Sequence, residues 1–326
     1  MLRVHFTAAD LARVRIAAEP DPLWELALSM HVLRVKEPNP LLAGWKGHML
    51  RRLHPAGAPA RQLAVPFALN PPLGYFPDFL TPYDGLQGLD AGLAALVSTP
   101  AMRLRAEVGK LADRNPAAAP LVDDVRTGRA PALRALETSL RSYHATAVAP
   151  YWDRITSACT ADRAMRIDLL ASAGAQALLD SLGPRSSFRG GVLEVTHFRR
   201  TQEVHLDGRG LMLIPSYFKE DDTVMLLADV DLPPVLIYPI DRDIRVRAEA
   251  RKQSLSALIG KQRAEILELA GGGFTVSDIA RRLDLTPSGV SRHLAVLRDA
   301  GLLTGVRDRN ALRHVLSPLG TALLQA

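Results

Sequence analysis

Cysteine is almost missing from this chain: Cys159 stands alone among 326 residues. A single cysteine excludes an intramolecular disulfide and a thiolate zinc cluster within one chain. It reads more simply as a small buried hydrophobe than as a redox sensor. Aromatic residues make up only 5% of the chain, so each one matters when a pocket is sought. No apolar run approaches the ~20 residues of a membrane span, and the opening MLRVHFTAADLARVR has no apolar centre of the signal-peptide kind. A nucleophile elbow, a phosphate-binding glycine loop and a dinucleotide fingerprint are all absent. Gly271, Gly272 and Gly273 follow a predicted helix, not a strand, and read as a flexible turn. The expectation is a cytoplasmic protein that is not an enzyme, with no catalytic residue, no cofactor and no metal.

The charge present is uneven. The net charge is +6 and the isoelectric point about 9.7, which favours a polyanionic partner. From Lys252 onward ten lysines and arginines stand against six acids, so four of the six excess charges lie on less than a quarter of the chain.

Length predicts two or three domains. Residues 1–185 read as mainly helical and 186–243 as a small antiparallel β subdomain. Residues 244–326 read as a DNA-binding domain with a lead-in helix. The fold class is therefore mainly α with a small antiparallel β portion (α+β). Asp21-Pro22 is a cap followed by proline at the first helical position, opening a helix to about Lys36 with Leu23, Leu26, Ala27, Met30 and Leu33 on one face. A second helix is expected over Leu41–Leu53. The Pro- and Gly-rich stretch 55–88 reads as an ordered loop. Further helices are expected over 89–97, 100–112, 131–148, 150–159 and 161–182. GVLEVTHF, EVHLDGRGLMLIP, TVMLLADV and VLIYPI are then β-rich runs broken by turns.

The strongest local pattern is FTVSDIARRLDLTPSGVSRHLAVLRDAGLL, Phe274 to Leu303. Thr275 is placed to cap a helix whose Val276, Ile279, Ala280 and Leu283 share one face, with Asp278 at the acid position of a capping box. Thr286-Pro287 repeats the start signal for a second helix. There Val290, Val296, Leu294 and Leu297 should face inward, leaving Ser288, Gly289, Ser291, Arg292 and Arg298 outside. Gly301 is the expected left-handed stop. LLTGVRDRNALRHVLS then alternates as a hairpin with Arg307, Arg309 and Arg313. A capped helix with small polar and basic residues at its exposed start suits the major groove, and arginines on a ribbon suit the flanking backbone or minor groove.

Residues 255–324 resemble the winged helix-turn-helix of ArsR-type bacterial repressors. The match runs through R-x-x-I-L (Arg263, Ile266, Leu267), T-x-x-x-[IL]-A-x-x-L from Thr275, S-x-x-S-R-H-L-x-x-L-R-x-A-G-L-L from Ser288, and L-S-P-L-G. It covers about a fifth of the chain. The whole chain also resembles longer actinobacterial regulators with an N-terminal domain ahead of such a module. The resemblance implies a dimeric repressor on double-stranded DNA. The recognition helix carries no cysteine, and the tail after Ser317 has neither His nor acid, so the metal-sensing sites of the family have no counterpart here.

The candidate DNA-binding residues are Thr275, Ser277, Thr286, Ser288, Gly289, Ser291, Arg292, His293, Arg298, Arg307, Arg309 and Arg313. His293 reads equally as packing or as a phosphate contact, and His314 as a solvated strand residue. Arginines in 242–252 suit either a solvated helix face or flanking phosphates. Trp24, Trp45, Tyr75, Phe76, Phe79, Tyr83 and Trp152 are candidates for a small-molecule effector pocket, beside the simpler reading of core packing. His197, Glu203 and His205 lie close in sequence but match no established ligand spacing. The expected partners are an operator on double-stranded DNA, a second copy of the chain and a small-molecule effector, with no membrane. Two alternatives stand beside this reading: a ligand-binding or enzymatic N-terminal domain with an autoregulatory winged helix, and a purely structural DNA-binding protein.

Overall fold

A computed structural model describes the chain except residues 37–38, 54–61, 73–74, 184, 197–200, 221–223, 228–233, 242–243, 245–254, 271–274, 309–310 and 326. His197, Arg309, the Gly271–Gly273 turn and all of 242–252 but Ile244 thus lie outside the described residues. The chain forms two compact units, Met1–Arg245 and Val246–Ala326.

The first unit is α+β and begins with β1 (Leu2–His5), α1 (Ala8–Leu11) and β2 (Val14–Ile16). The helical part follows: α2 (Pro22–Arg34), α3 (Pro40–Arg52), α4 (Ala64–Leu69), α5 (Leu89–Val97), α6 (Ala101–Arg114), α7 (Ala119–Arg126), α8 (Ala130–Tyr143) and α9 (Trp152–Asp180). Two predicted helices merge in α9, which bends at Gly174 (φ 80°). The stretch expected as loop contains α4 and 3-10 turns at Asp78–Leu80 and Tyr83–Gln87.

Helix α2 departs most from its predicted character. A one-sided apolar face was expected, but Trp24, Glu25, Leu28 and Ser29 are buried as well. A helix buried on all sides is the centre of its unit, and its polar groups need internal partners. Asp21 caps it by accepting from the Leu23 and Trp24 amides at 2.8 and 3.1 Å. The Glu25 carboxylate accepts from the Tyr217 and Phe218 amides at 2.7 and 3.0 Å.

Strands β3 (Ser186–Arg189), β4 (Val192–Val195), β5 (Gln202–His205), β6 (Leu211–Ser216), β7 (Met225–Leu227) and β8 (Val235–Pro239) do not make a separate antiparallel subdomain. They form two mixed four-stranded sheets, ordered β3-β4-β1-β5 and β2-β6-β8-β7. β1 pairs antiparallel with β4 and parallel with β5, and β6 is parallel to both β2 and β8. The boundary expected near 186 fails because the N-terminal strands complete both sheets. One side of β8 (Val235, Ile237) joins the large helical core and the other (Leu236, Tyr238) the core under the first sheet. That double burial is why VLIYPI shows no polar alternation, as in parallel strands covered on both faces.

Asp162 on α9 holds the end of β8, accepting from Tyr238 Oη at 2.8 Å and the Asp241 amide at 2.9 Å. Arg166, 3% exposed, pairs with it at 3.4 Å. Replacing Asp162 with Ala strands a buried guanidinium and a buried phenol. The expected loss is about 3–5 kcal/mol, read from urea unfolding followed by tryptophan fluorescence.

The second unit contains α10 (Lys261–Ala270), α11 (Val276–Leu283), α12 (Pro287–Asp299), β9 (Leu303–Asp308), β10 (Ala311–Leu316) and α13 (Pro318–Gln325). Ile266, Leu267, Ile279, Val290, Leu294, Leu297 and Leu303 form its core. No helix among the described residues is long and apolar enough to cross a membrane.

Candidate nucleic-acid interface and ligand pocket

Local hydrogen bonding fixes both helices of the turn. Thr275 Oγ1 accepts from the Asp278 amide at 3.3 Å and donates to Asp278 Oδ2 at 2.7 Å, while that carboxylate also takes the Thr275 amide at 3.4 Å. The Thr275 hydroxyl in turn holds the Asp278 carboxyl below the usual carboxylate range. Asp284 ends α11 in the left-handed region (φ 55°). Thr286 Oγ1 then accepts from the Gly289 amide at 3.2 Å and starts α12. At the far end Gly301 adopts φ 73°. Its amide donates to the Arg298 carbonyl and that of Leu302 to the Leu297 carbonyl, at 2.8 and 2.9 Å, the pair of bonds that closes a Schellman stop.

The start of α12 faces solvent. Thr286, Ser288, Ser291 and Arg292 are exposed, as is Ser277 on α11, and Gly289 is half-buried. Arg292 has no ion pair or hydrogen bond among the described residues. Arg281 is held by Asp278 at 2.7 Å, and Arg298 lies 3.8 Å from Asp299. A free guanidinium beside the positive end of a capped helix suits a phosphate or a guanine edge.

His293 is half-buried, and its Nε2 lies 3.1 Å from Gln262 Oε1, which ties α12 to α10. Val296, expected inside, is 46% exposed, because α12 buries only the stripe of Val290, Leu294 and Leu297. His314 is no solvated strand residue: it is 5% exposed, and burial, then Arg298, lowers its pKa. β9 and β10 pair antiparallel, with Arg307 opposite Leu312 and Arg313 opposite Val306.

A family model described as a helix-turn-helix domain matches residues 261–306, spanning α10, α11, α12 and most of β9. No curated protein matches this chain, and no solved structure does. The second unit therefore carries a helix-turn-helix DNA-binding domain.

The aromatic candidates of the first unit divide. Trp24, Phe79 and Tyr83 line a pocket of about 180 Å³ together with Asp21, Asp78 and Thr81. The others do not line it. Phe76 stacks on Trp24 at 5.4 Å, and Trp45 packs on Phe218 at 4.6 Å while donating Nε1–H to the Ala147 carbonyl. Tyr75 lies under Lys110 and Arg114, and Trp152 lies against His144. The polar members of the pocket carried no signal in the sequence beyond the helix cap at Asp21.

Glu203 and His205 meet His5, a residue the sequence reading did not include, because β1 and β5 align His5 with His205. Donor atoms of the three lie within 4.8 Å of one another. The two rings stack at 4.2 Å and 8°, however, so their lone pairs lie in separate planes. Glu203 also accepts from Arg3 at 3.4 Å. This arrangement is a stacked, ion-paired sheet edge.

Two predictions follow from the caps and from Asp21. Thr275→Ala and Thr286→Ala should each cost about 1 kcal/mol, seen as faster hydrogen exchange at the Asp278 and Gly289 amides respectively. Burial raises the Asp21 carboxyl to about 7, partly offset by the Trp24 and Leu23 amides. Its contribution to stability is full below its ordinary value and lost as pH rises through about 7. His31 is opposite: burial, then Arg34, lowers it to about 4, so its contribution is full above its ordinary value and lost as pH falls through about 4. Asp21→Asn keeps a capping oxygen but removes the falling term. Its urea midpoint should therefore rise more steeply than that of the wild type between about pH 4 and 7.

Proposed function

We propose that this chain is a sequence-specific transcriptional regulator of the ArsR-like winged helix-turn-helix kind. It acts as a homodimeric repressor, and the first unit provides pairing and small-molecule control. The observation that carries the reading is the exposed, threonine-capped start of α12, where Ser288, Ser291 and an Arg292 without a partner among the described residues stand together within a matched helix-turn-helix domain. In this reading α12 enters the major groove and the β9–β10 hairpin reaches the flanking backbone. The first unit performs no chemistry, and the protein works in the cytoplasm.

Effector control requires an effector that binds two dimer arrangements unequally. The pocket at Asp21 and Trp24 supports that role for the first unit, because a ligand needs a concave site with both apolar and polar walls.

The test is a gel shift of the full chain on the intergenic DNA upstream of its own gene, with random DNA as competitor. The expected outcome is a complex that survives competition and weakens steeply with salt as counterions are released. Arg292→Ala should cost about 1–3 kcal/mol on that DNA and much less on random DNA. Equal losses on both would make Arg292 a phosphate contact only. Binding that random DNA abolishes throughout would count against an operator at that site.

A further inference from the structure

The pocket of the first unit has a chemical character beyond the presence of aromatic walls. We propose that it takes a small organic cation whose apolar body is about the size of one aromatic ring. Regulation by such a ligand rests on the reading above; the binding itself does not.

Size sets the first limit. The cavity measures about 180 Å³, close to the ~150 Å³ that holds benzene in an engineered apolar core. A nucleotide or a peptide does not fit that volume. Trp24, 2% exposed, and Phe79, 1% exposed, wall it with Tyr83. Aromatic faces attract both flat apolar groups and cations through their quadrupole.

Charge sets the second. Three acidic side chains, Asp21, Asp78 and Asp84, line the pocket beside one cationic side chain, Arg103. That guanidinium also pairs with Glu107 at 2.6 Å, and acidic side chains outnumber cationic ones along the described lining. Asp21 is 1% exposed and packs so closely on Gly85 that a Cβ there would meet its Oδ2 at 2.7 Å. An acid buried this deeply, which accepts from the Leu23 and Trp24 amides, gains in its ionised form from a cation placed against it.

A third observation is independent of charge. Thr81 lines the same pocket at 4% exposure. Its buried hydroxyl has no hydrogen-bond partner among the described residues. Buried hydroxyls are nearly always satisfied, so an orphan beside a cavity points to a polar group supplied by an occupant. A compact ammonium with an aromatic or branched alkyl body answers the carboxylates and the aromatic walls together.

The experiment is isothermal titration of the full chain at pH 8, above the Asp21 value of about 7, with benzylammonium chloride, benzyl alcohol and sodium benzoate, without DNA. The expected result is saturable binding of benzylammonium, with the alcohol and the benzoate about tenfold weaker or worse. Asp21→Asn, which retains a capping oxygen, should weaken benzylammonium about tenfold while leaving benzyl alcohol unchanged. If that variant does not fold, Asp84→Asn, at an exposed position, carries the test with an expected loss of about twofold to fivefold. No saturable binding of benzylammonium, benzoate binding as tightly as the cation, or indifference to the available variant would each overturn the proposal. A parallel gel shift separates the two readings. Saturable binding that leaves DNA affinity unchanged upholds the ligand class and overturns effector control.

Discussion

Helix α2 has water on almost none of its faces, so each polar group it carries must be answered inside the protein. Those answers hold the first unit together. Glu25 takes two amides at the end of β6. The Ser29 and Tyr143 hydroxyls share a bond of 3.0 Å that reaches α8. His31 meets Asn70 Oδ1 at 2.5 Å, and Asn70 Nδ2 donates back to the Ala27 carbonyl. Asp21, at the start of the same helix, uses one oxygen as a cap and lines a cavity. The buried helix thus anchors a sheet, a neighbouring helix and the proposed ligand site through four side chains.

The second unit solves a different problem. A short helix has little core of its own, and α12 buries only Val290, Leu294 and Leu297. Its direction depends on its ends: Thr286 at one, the Gly301 stop at the other, and the His293–Gln262 bond between them. Fixing the ends leaves Ser288, Ser291 and Arg292 exposed on the remaining face of the helix. The hydroxyls of Thr275 and Thr286 are engaged in capping, so they position the helices that carry Ser277, Ser288, Ser291 and Arg292.

Much of the second unit was legible in the sequence because its signals are local. Cap residues, a proline at the first helical position and a glycine stop each act on backbone groups within about five residues, and the structure uses each of them. The first unit was harder for the opposite reason. β1 and β2 find their partners about 200 residues away, and nothing in LRVH or VRI names those partners. The same distance hid the His5–His205 stack and made two mixed sheets look like one antiparallel one. Burial is the least local signal: α2 and His314 are more buried than their patterns predict, and Val296 less. Among the aromatic candidates, the three that line a cavity are set apart by the turns at 78–87, which no local pattern announces.

The central claim is that α12 reads DNA from a paired molecule. Hydroxyl-radical footprinting of the full chain on its upstream intergenic DNA tests it most directly. The account predicts two protected half-sites centred about one helical turn, ~34–36 Å, apart, with hairpin contacts extending protection outward. Uniform protection along the DNA would contradict it and make the protein a coat, and a single unpaired half-site would contradict the dimer.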